Sequence, residues 1–526
     1  MSPASVANLR RALAPAAGCL FAVALLSACN TLPDAPAVAP TMALPAAADG
    51  PLAATARAVR ATRGGDDALH LIKSARQGLT WRLALIDSAR VSIDAQYFTW
   101  ANDAAGSLIL LHLWAAADRG VRVRLLIDDL YLVSQRSVRG TDKPVKLLDM
   151  HPNIEVKIFN PGKHRAGSLG LAGNYLGYFE EFNRRMHNKL LIADGHFAIM
   201  GGRNLANEYF GWHEPYNFLD LDVLAAGPVT GRIARAYDRY WNSQPAFPAS
   251  GFRGSFTQQD VAVMRLELAT AVKAAMGFTG DFPTRPRQWT TLLRELPATM
   301  HSGKTIFLQD DPAIFENRGY RLNDMIRDLS RDASDDVVIV TPYLIPVRGF
   351  IDKLRETVAR GVRVRLLTAS LAAGDHSAVH AHYKGYRPDL LDTGAELYEF
   401  HHQPDAEVRA LADSAPVQGK FVALHPKVAV IDGKTCFVGS LNLDPRALVI
   451  NTENGLLINS PGFCAELLGV LELLLAPDNA WRVTRDTRGK LQWTSSHGTV
   501  NRAPARGTGQ RLADFLFRWL PVEGQL

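Results

Sequence analysis

The sequence predicts an α/β protein built from two similar halves, and two observations support this fold class. The octapeptide at residues 119–126 recurs letter for letter at residues 360–367, which is 241 residues later, and an internal repeat of this kind indicates a duplicated unit. Each copy follows a helix-like stretch, which itself follows a β-rich run, at residues 91–98 and 337–344. Strand, helix and strand in this order form a βαβ unit, which predicts parallel pairing within a sheet covered by helices.

The repeat also sets the expected domain boundaries. We expect the first half over residues 68–250 and the second over residues 303–526, and we expect residues 251–302, which contain three prolines, to bridge them. A chain of 526 residues, 47% hydrophobic and 21% charged, is long enough to bury a large core. The net charge of +6 is compatible with anionic lipid or nucleic acid, and charge alone indicates no partner.

The N-terminus has the pattern of an export signal. Arg10 and Arg11 precede a short apolar run, and small residues then lead to Cys29, as is typical of a cleaved signal rather than a membrane-spanning helix. Residues 26–29 also resemble a bacterial lipobox, in which the cysteine is lipidated and becomes the new first residue. An ordinary secretory signal with a chance cysteine remains the alternative.

We therefore expect residues 1–28 to be a lipoprotein signal peptide and the Ala/Pro-rich residues 29–67 to be a flexible tether. This predicts a lipid-anchored protein on the periplasmic face of a bacterial cell envelope, and it leaves the choice between inner and outer membrane open. The sequence also leaves open whether Cys436 and Cys464 pair. An apolar neighbourhood favours a buried, inert thiol at Cys436.

A second repeated block carries the candidate chemistry. The first copy contains His187, Lys189, Asp194 and Asn204, and the second contains His425, Lys427, Asp432 and Asn442. Histidine and asparagine are 17 residues apart in both copies. One such motif could arise by chance. Two copies in register with an independent repeat indicate a functional site.

The residue types suit phosphodiester chemistry. On a strand, side chains two residues apart share a face, so each histidine should have a lysine beside it. Imidazole can attack phosphorus or carry a proton near neutral pH, while lysine and asparagine can bind phosphate oxygens. The lysines supply the positive charge, so we expect no metal and no cofactor. Asp194 and Asp432 complete the motifs and are counted with the histidines and lysines as candidate catalytic residues. Each precedes glycine between two apolar runs, however, and this favours a structural role in a tight hairpin over direct catalysis.

A nucleophilic histidine also needs a group that holds its other ring nitrogen, usually a carboxylate. Alignment of the two halves on Pro228 and Pro461 matches Asp220 with Glu453, each eight residues before its proline. We predict that Asp220 orients His187 and that Glu453 orients His425. Asp222, two residues further along the same strand face, remains an alternative.

The paired blocks resemble the H-x-K-x4-D signature of the phospholipase D superfamily, and the resemblance extends over nearly all of residues 68–526. Within that superfamily the chain is most similar to bacterial cardiolipin synthases. The resemblance implies two α/β/α sandwich halves packed around one interfacial active site, and a phosphatidyl-histidine intermediate. It implies that His187 attacks the donor phospholipid while His425 protonates the leaving alcohol and then activates the incoming one. With phosphatidylglycerol as acceptor the product is cardiolipin, and with water it is phosphatidic acid. Phosphatidylethanolamine is a further candidate substrate.

The sequence disfavours two other functions, those of a nuclease and of a binding protein. A nuclease would need basic side chains that track a strand of nucleic acid, but the repeated arginines (Arg122, Arg124, Arg363 and Arg365) are expected at sheet ends or beside acids, so no nucleic acid is expected as partner. A binding protein on a relic fold is disfavoured because both motifs are intact.

The aromatic residues Tyr175, Tyr178, Phe179 and Phe182 could line an acyl-chain entry or pack in the core. A C-terminal helix with an apolar face, at residues 512–520, is expected to dock on the body.

Overall fold

The computed structural model describes residues 31–130, 142–165, 167–313, 322 and 331–526. The expected signal peptide and Cys29 lie outside these residues. Within the described ranges, no helix combines the length and the apolar character needed to cross a bilayer.

The first half and the segment before it alternate helices and strands. The strands are β1 (Asp67–Ile72), β2 (Ser92–Tyr97), β3 (Arg122–Asp128), β4 (Ile154–Phe159), β5 (Leu190–Ala193), β6 (Phe197–Gly201), β7 (Asn217–Leu219), β8 (Asp222–Ala226) and β9 (Ala246–Pro248). The helices are α1 (Pro51–Arg63), α2 (Ala75–Ser88), α3 (Ala104–Asp118), α4 (Lys143–Asp149), α5 (Gly167–Gly177), α6 (Phe179–Asn183) and α7 (Pro228–Trp241).

The rest of the chain repeats this order after a helical link. The helices are α8 (Gln258–Ala274), α9 (Met276–Thr279) and α10 (Thr290–Thr299), followed by α11 (Phe350–Ala359), α12 (Ser377–Tyr383), α13 (Arg387–Asp392), α14 (Ala406–Ala412), α15 (Pro461–Leu475) and α16 (Thr508–Phe517). The strands are β10 (His301–Gln309), β11 (Asp336–Val340), β12 (Arg363–Ala369), β13 (Glu396–Phe400), β14 (Val422–Leu424), β15 (Val428–Ile431), β16 (Thr435–Gly439), β17 (Asn454–Asn459), β18 (Ala480–Arg485), β19 (Leu491–Ser495) and β20 (Gly498–Val500).

The strands of both halves join into one continuous sheet. In space the order of the first half is β9-β4-β3-β2-β5-β6-β8-β1, and that of the second is β10-β17-β16-β15-β11-β12-β13-β18-β19-β20. The halves meet at β1 and β10, which pair antiparallel with Asp67 opposite Gly303. Counted from this junction, the first eight strands of the second half mirror the eight strands of the first half, and β19 and β20 extend the second half further. The prediction of two similar α/β halves is therefore confirmed.

The repeated βαβ units form as predicted. Strands β2 and β3 pair in parallel around α3, and β11 and β12 pair in parallel around α11. The predicted hairpins also form, between β5 and β6 and between β15 and β16. Asp194 and Asp432 take positive φ angles of 51° and 50° at the turns, a conformation that aspartate tolerates better than most residues.

The prediction of a flexible tether is wrong for residues 31–67. Alanine favours helix, and Leu52 and Val59 lie at helical spacing, so α1 forms and buries both of these side chains. The extended residues before α1 are held by backbone hydrogen bonds, including one from Leu32 N–H to the Lys163 carbonyl at 2.7 Å. This segment is therefore part of the folded first half.

The bridging segment is likewise folded. Helix α8 packs on α3 of the first half, and α10 packs on α1. One apolar core cluster contains side chains of both halves, among them Leu190 and Val223 from the first and Val428 and Leu456 from the second. The two halves therefore share a core.

Cys436 and Cys464 form a disulfide that joins β16 to α15. This corrects the expectation that Cys436 is a free, inert thiol, although the side chain is buried as expected. The sequence separation of 28 residues gave no geometric hint of the pairing.

Candidate active site

The catalytic-motif histidines lie where the halves touch each other away from the main sheet. His187 sits in an extended segment just before β5, and its backbone N–H donates to the Thr452 carbonyl of the second half at 2.8 Å. His425 follows β14, which pairs in parallel with β7 of the first half, and its N–H donates to the Leu219 carbonyl at 2.9 Å. Each histidine is thus anchored to the backbone of the opposite half.

This crossing exchanges the carboxylate partners. His187 Nδ1 lies 2.9 Å from Glu453 Oε2, and His425 Nδ1 lies 2.5 Å from Asp220 Oδ2. The prediction that Asp220 orients His187 and Glu453 orients His425 is therefore wrong in its pairing. The reason is that Glu453 directly follows Thr452, and Asp220 directly follows Leu219, so the backbone contacts bring each carboxylate to the other half's histidine.

Asp222 is not a partner of either histidine. Its carboxylate is 3.0 Å from Arg82 Nη1 and 3.2 Å from Arg203 Nη1, within a buried ion-pair cluster. Arg203 also donates to the Asp220 carbonyl. The cluster fixes the backbone that presents Asp220 to His425.

The two motif lysines are buried beside their histidines, as the spacing predicts. Lys189 Nζ donates to the His187 carbonyl at 2.6 Å, and Lys427 Nζ donates to the His425 carbonyl at 2.6 Å. Burial lowers the pKa of Lys189 to about 7 and that of Lys427 to about 8, although Glu453 and Asp220 partly offset the effect. The negative charge of a bound phosphate would favour the protonated form of both lysines.

The imidazoles are biased toward the neutral form. Burial, with Lys189 and Lys427 as additional causes, holds the pKa of His187 well below its usual value. Burial and Lys427 lower the pKa of His425 to about 4 despite the contact with Asp220. The backbone of each histidine is bonded to the opposite half, at Thr452 or Leu219, so both imidazoles lie at the junction of the two halves. A phosphodiester bound there would raise both pKa values because its negative charge favours imidazolium.

The two carboxyl groups differ in charge preference. Burial would raise the pKa of Asp220, but His425 and Lys427 overcome this effect and hold the pKa below its usual value. Burial raises the pKa of Glu453 well above its usual value, and Lys189 and the Ser440 hydroxyl offset this only in part. Asp220 is therefore the more readily ionised partner.

The motif asparagines follow β6 and β16 and have different contacts. Asn204 Oδ1 accepts from the Thr99 N–H at 3.1 Å, and its Nδ2 donates to the Tyr209 hydroxyl at 3.0 Å. Asn442 hydrogen bonds Asp444, and its Oδ1 is buried without a hydrogen-bond partner among the described residues. Only the amide N–H groups of Asn442 can donate to a phosphate oxygen, and the one that is not bonded to Asp444 is available for this.

The motif aspartates lie in the hairpin turns and not beside the imidazoles. Asp194 accepts from the backbone N–H groups of Arg90, Val91 and Ser92, and Asp432 accepts from those at residues 334–336. Both carboxylates hold the segment that leads into the neighbouring strand, β2 or β11. Their inclusion among the catalytic residues is corrected to the structural role that the turn pattern favoured.

Several residues of the site were missed by sequence reasoning. Phe98 contacts the His187 ring edge-on, with ring centroids 5.1 Å apart, and Tyr209 and Phe218 contact the His425 ring at 5.2 and 4.6 Å. Ser440 donates to Glu453 Oε2. The difference between Gly202 and Ser440 in the aligned motifs was the available signal for this last contact.

Comparison with known proteins agrees with this geometry. The family described as "Cardiolipin synthase, PLD-like domain" matches residues 83–241 and 326–474, one stretch in each half. Cardiolipin synthase C of Escherichia coli is 35% identical over 84% of this chain and 92% of its own length. An uncharacterised protein of Helicobacter pylori (strain ATCC 700392 / 26695) is 31% identical over 75% of this chain and 76% of its own length.

A solved structure shares the fold. The phosphatidylserine synthase of Haemophilus influenzae superimposes with a TM-score of 0.52 over 82% of this chain and 92% of its own, at 15% sequence identity. The duplicated α/β halves, the crossed histidine–carboxylate pairs and the two family matches lead to one assignment: the chain belongs to the phospholipase-D-like cardiolipin synthase family and is a phospholipase-D-type enzyme.

Proposed function

We propose that the protein is a phosphatidyltransferase that makes cardiolipin through a phosphatidyl-histidine intermediate. The observation that carries the proposal is the pair of crossed histidine–carboxylate contacts in one buried site, with a lysine beside each histidine. In each contact the carboxylate holds Nδ1, which leaves Nε2 of both imidazoles for chemistry.

The first step transfers the phosphatidyl group to His187. Its Nε2 lone pair attacks phosphorus, an N–P bond forms, and the bond from phosphorus to the head-group oxygen breaks. His425, protonated in the presence of the phosphate, gives its Nε2 proton to the departing alcohol. Glu453 holds the Nδ1 proton of His187 and stabilises the positive charge that develops on the ring.

The second step reverses these roles. Neutral His425 takes the proton of the incoming alcohol, whose oxygen attacks phosphorus while the N–P bond breaks and releases His187. When the alcohol is the free hydroxyl of phosphatidylglycerol, the product is cardiolipin. Lys189 and Lys427, together with Asn442, stabilise the non-bridging oxygens in both steps.

The surroundings of the site favour lipid over nucleic acid. A cavity of about 410 Å³ in the second half has Lys427 in its wall and is otherwise lined mainly by apolar side chains such as Ile339, Phe437 and Leu441, as suits an amphiphile. Three of the four repeated arginines are engaged by acids, Arg124 with Asp94, Arg363 with Glu396 and Arg365 with Asp336. They do not form a strand-binding track.

The proposal includes anchoring at the membrane. Lipidation of Cys29 would hold the enzyme on the periplasmic face of the envelope, beside phosphatidylglycerol and phosphatidylethanolamine.

The test is to incubate the purified protein with labelled phosphatidylglycerol and phosphatidylethanolamine, beside His187→Ala and His425→Ala. We expect the natural sequence to form cardiolipin, and we expect this activity to survive a chelator. Each variant should lower the rate of cardiolipin formation by a factor of about 10³ or more. Phosphatidic acid as the sole product would replace the transferase with a hydrolase. Cleavage of DNA or of a simple phosphodiester without any lipid product would reject the lipid substrate.

A further inference from the structure

The C-terminal helix α16 is mounted with its apolar face outward. Leu512, Phe515, Leu516 and Trp519 recur at helical spacing, and all four are exposed, with Leu516 at 57% and Trp519 at 71%. The sequence predicted that this face docks on the body, and the structure shows the opposite. A helix of a water-soluble body normally turns such a face inward.

Polar contacts fix this orientation. Asp514, on the inner face, accepts from His380 Nδ1 at 2.7 Å and from Lys384 Nζ. Gln510 donates to the Leu371 carbonyl. Because the polar face is bonded to α12 and its neighbours, the apolar stripe is held at the surface by the fold.

The segment after α16 ends beside the active site. Arg446 donates to the Gln525 carbonyl at 3.0 Å and to Asn183 Oδ1 at 2.9 Å. The Arg446 carbonyl accepts from the Asn451 N–H at 2.8 Å, and the next residue, Thr452, accepts from the His187 N–H. The tail therefore lies against the junction of the two halves at which His187 sits.

A second exposed apolar patch lies on the first-half side of this junction. Tyr175, Leu176 and Phe179 are exposed on α5 and α6. Tyr175 packs against the buried Phe182 with ring centroids 5.1 Å apart, and α6 ends at Asn183, the residue that contacts the tail. Each half thus contributes one outward apolar patch, and the two patches are linked through the contact between Asn183 and Gln525.

We propose that these two patches form a lipid-contact surface that seats the active site on an anionic phospholipid bilayer. Leucine, phenylalanine and tryptophan on one face suit insertion at the head-group boundary, and Arg511 on α16 and Arg518 directly after it supply positive charge beside the stripe. We assign this surface to lipid because its pairing of aromatic and basic residues matches an anionic membrane interface. The inference rests on the proposed function, since it names the surface from which that site takes its substrate.

The test measures binding separately from turnover. Residues 29–526 carrying Cys29→Ala, which lack the expected signal peptide and the thiol expected to be acylated, are mixed with vesicles of phosphatidylglycerol and phosphatidylcholine, and bound protein is measured by flotation. We expect Leu516→Glu with Trp519→Glu to lower the partition coefficient by about tenfold or more. We expect Leu266→Glu, at a residue 68% exposed on α8, to leave it unchanged.

Turnover provides the second reading. The double variant should lose activity on vesicles but keep it on short-chain phosphatidylglycerol dispersed as monomers, which also shows that it folds. Equal vesicle binding by the double variant and its parent would overturn the inference. It would also be overturned if the two substitutions abolished binding to another protein and left binding to lipid intact. Intact vesicle binding without any lipid turnover would support the surface while rejecting the proposed reaction.

Discussion

The two histidine–carboxylate contacts occupy equivalent places in the repeat, but their surroundings differ. Asp220 is held near Arg203 and Lys427, and its pKa lies below the usual value. Glu453 is near Asp310 and Asp444, whose charges add to the effect of burial, and its pKa lies well above the usual value. The duplicated motif therefore sets the positions of the reacting groups, and neighbours such as Arg203, Asp310 and Asp444 add to the motif residues in setting their charge.

This difference assigns the two histidines separate tasks. His425, beside an ionised Asp220, is equipped to gain and release a proton during each cycle. His187 contacts Glu453, and burial together with Lys189 and Lys427 lowers the pKa of its imidazole, so its nitrogen lone pair stays available. We therefore propose His187 as the nucleophile, a choice on which the sequence alone was nearly symmetric.

The largest expected effect comes from neutralising each carboxylate in turn. Glu453→Gln should impair attack by His187, and Asp220→Asn should impair proton transfer by His425, each lowering kcat on natural phospholipid by about 10²–10⁴-fold. A phosphatidyl ester of p-nitrophenol needs no proton for its leaving group. Its burst of nitrophenol should therefore persist in Asp220→Asn and disappear in Glu453→Gln.

The same experiment checks the crossing of the partners. If Asp220 served His187 and Glu453 served His425, the burst would disappear in the Asp220 variant and persist in the other. Trapping of the phosphorylated histidine after an acid quench, followed by mass spectrometry, would locate the intermediate on His187 or His425. Recovery of phosphate on His425 would contradict the assignment of the nucleophile.

A smaller effect is expected from Ser440, which distinguishes the two carboxyl environments. Its hydroxyl stabilises ionised Glu453, and attack by His187 requires that ionised form. Activity should therefore fall as pH is lowered and Glu453 is protonated. Ser440→Ala raises the pKa of Glu453 further, so the acid limb of kcat/KM for the nitrophenyl ester should move to higher pH.

The matched control for this shift is Ser370→Ala. Ser370 is equally buried, but its hydroxyl donates to the Phe400 carbonyl and does not touch either carboxyl group. Its removal should leave the acid limb in place. A limb that stays fixed in Ser440→Ala would show that Glu453 does not control the acid side of the profile.

Much of this arrangement was predictable from local patterns. The repeat and the Asp-Gly turns gave the βαβ units and hairpins because these features depend on neighbouring residues. The crossed partners were not predictable, since the contact of His187 with Thr452 joins residues 265 positions apart, beyond any local pattern. The tether was misread because its alanines and prolines carry little apolar surface, and its contacts use mostly backbone groups.

The smallest effect on catalysis, and a clear one on stability, is expected from the two turn aspartates. Asp194 is fully buried and accepts from three backbone N–H groups, whereas Asp432 makes equivalent contacts at a partly exposed turn. Asparagine tolerates the positive φ of both positions, so Asp→Asn tests the carboxylate contacts without straining the backbone.

Hydrogen bonds to a buried charge contribute more than exposed ones, so Asp194→Asn should cost about 2–3 kcal/mol of unfolding free energy and Asp432→Asn about 1 kcal/mol. Thermal unfolding measures both, and kcat per folded molecule should change by less than about twofold in each because neither side chain reaches the imidazoles. A large loss of kcat at unchanged Tm would return these aspartates to the catalytic set.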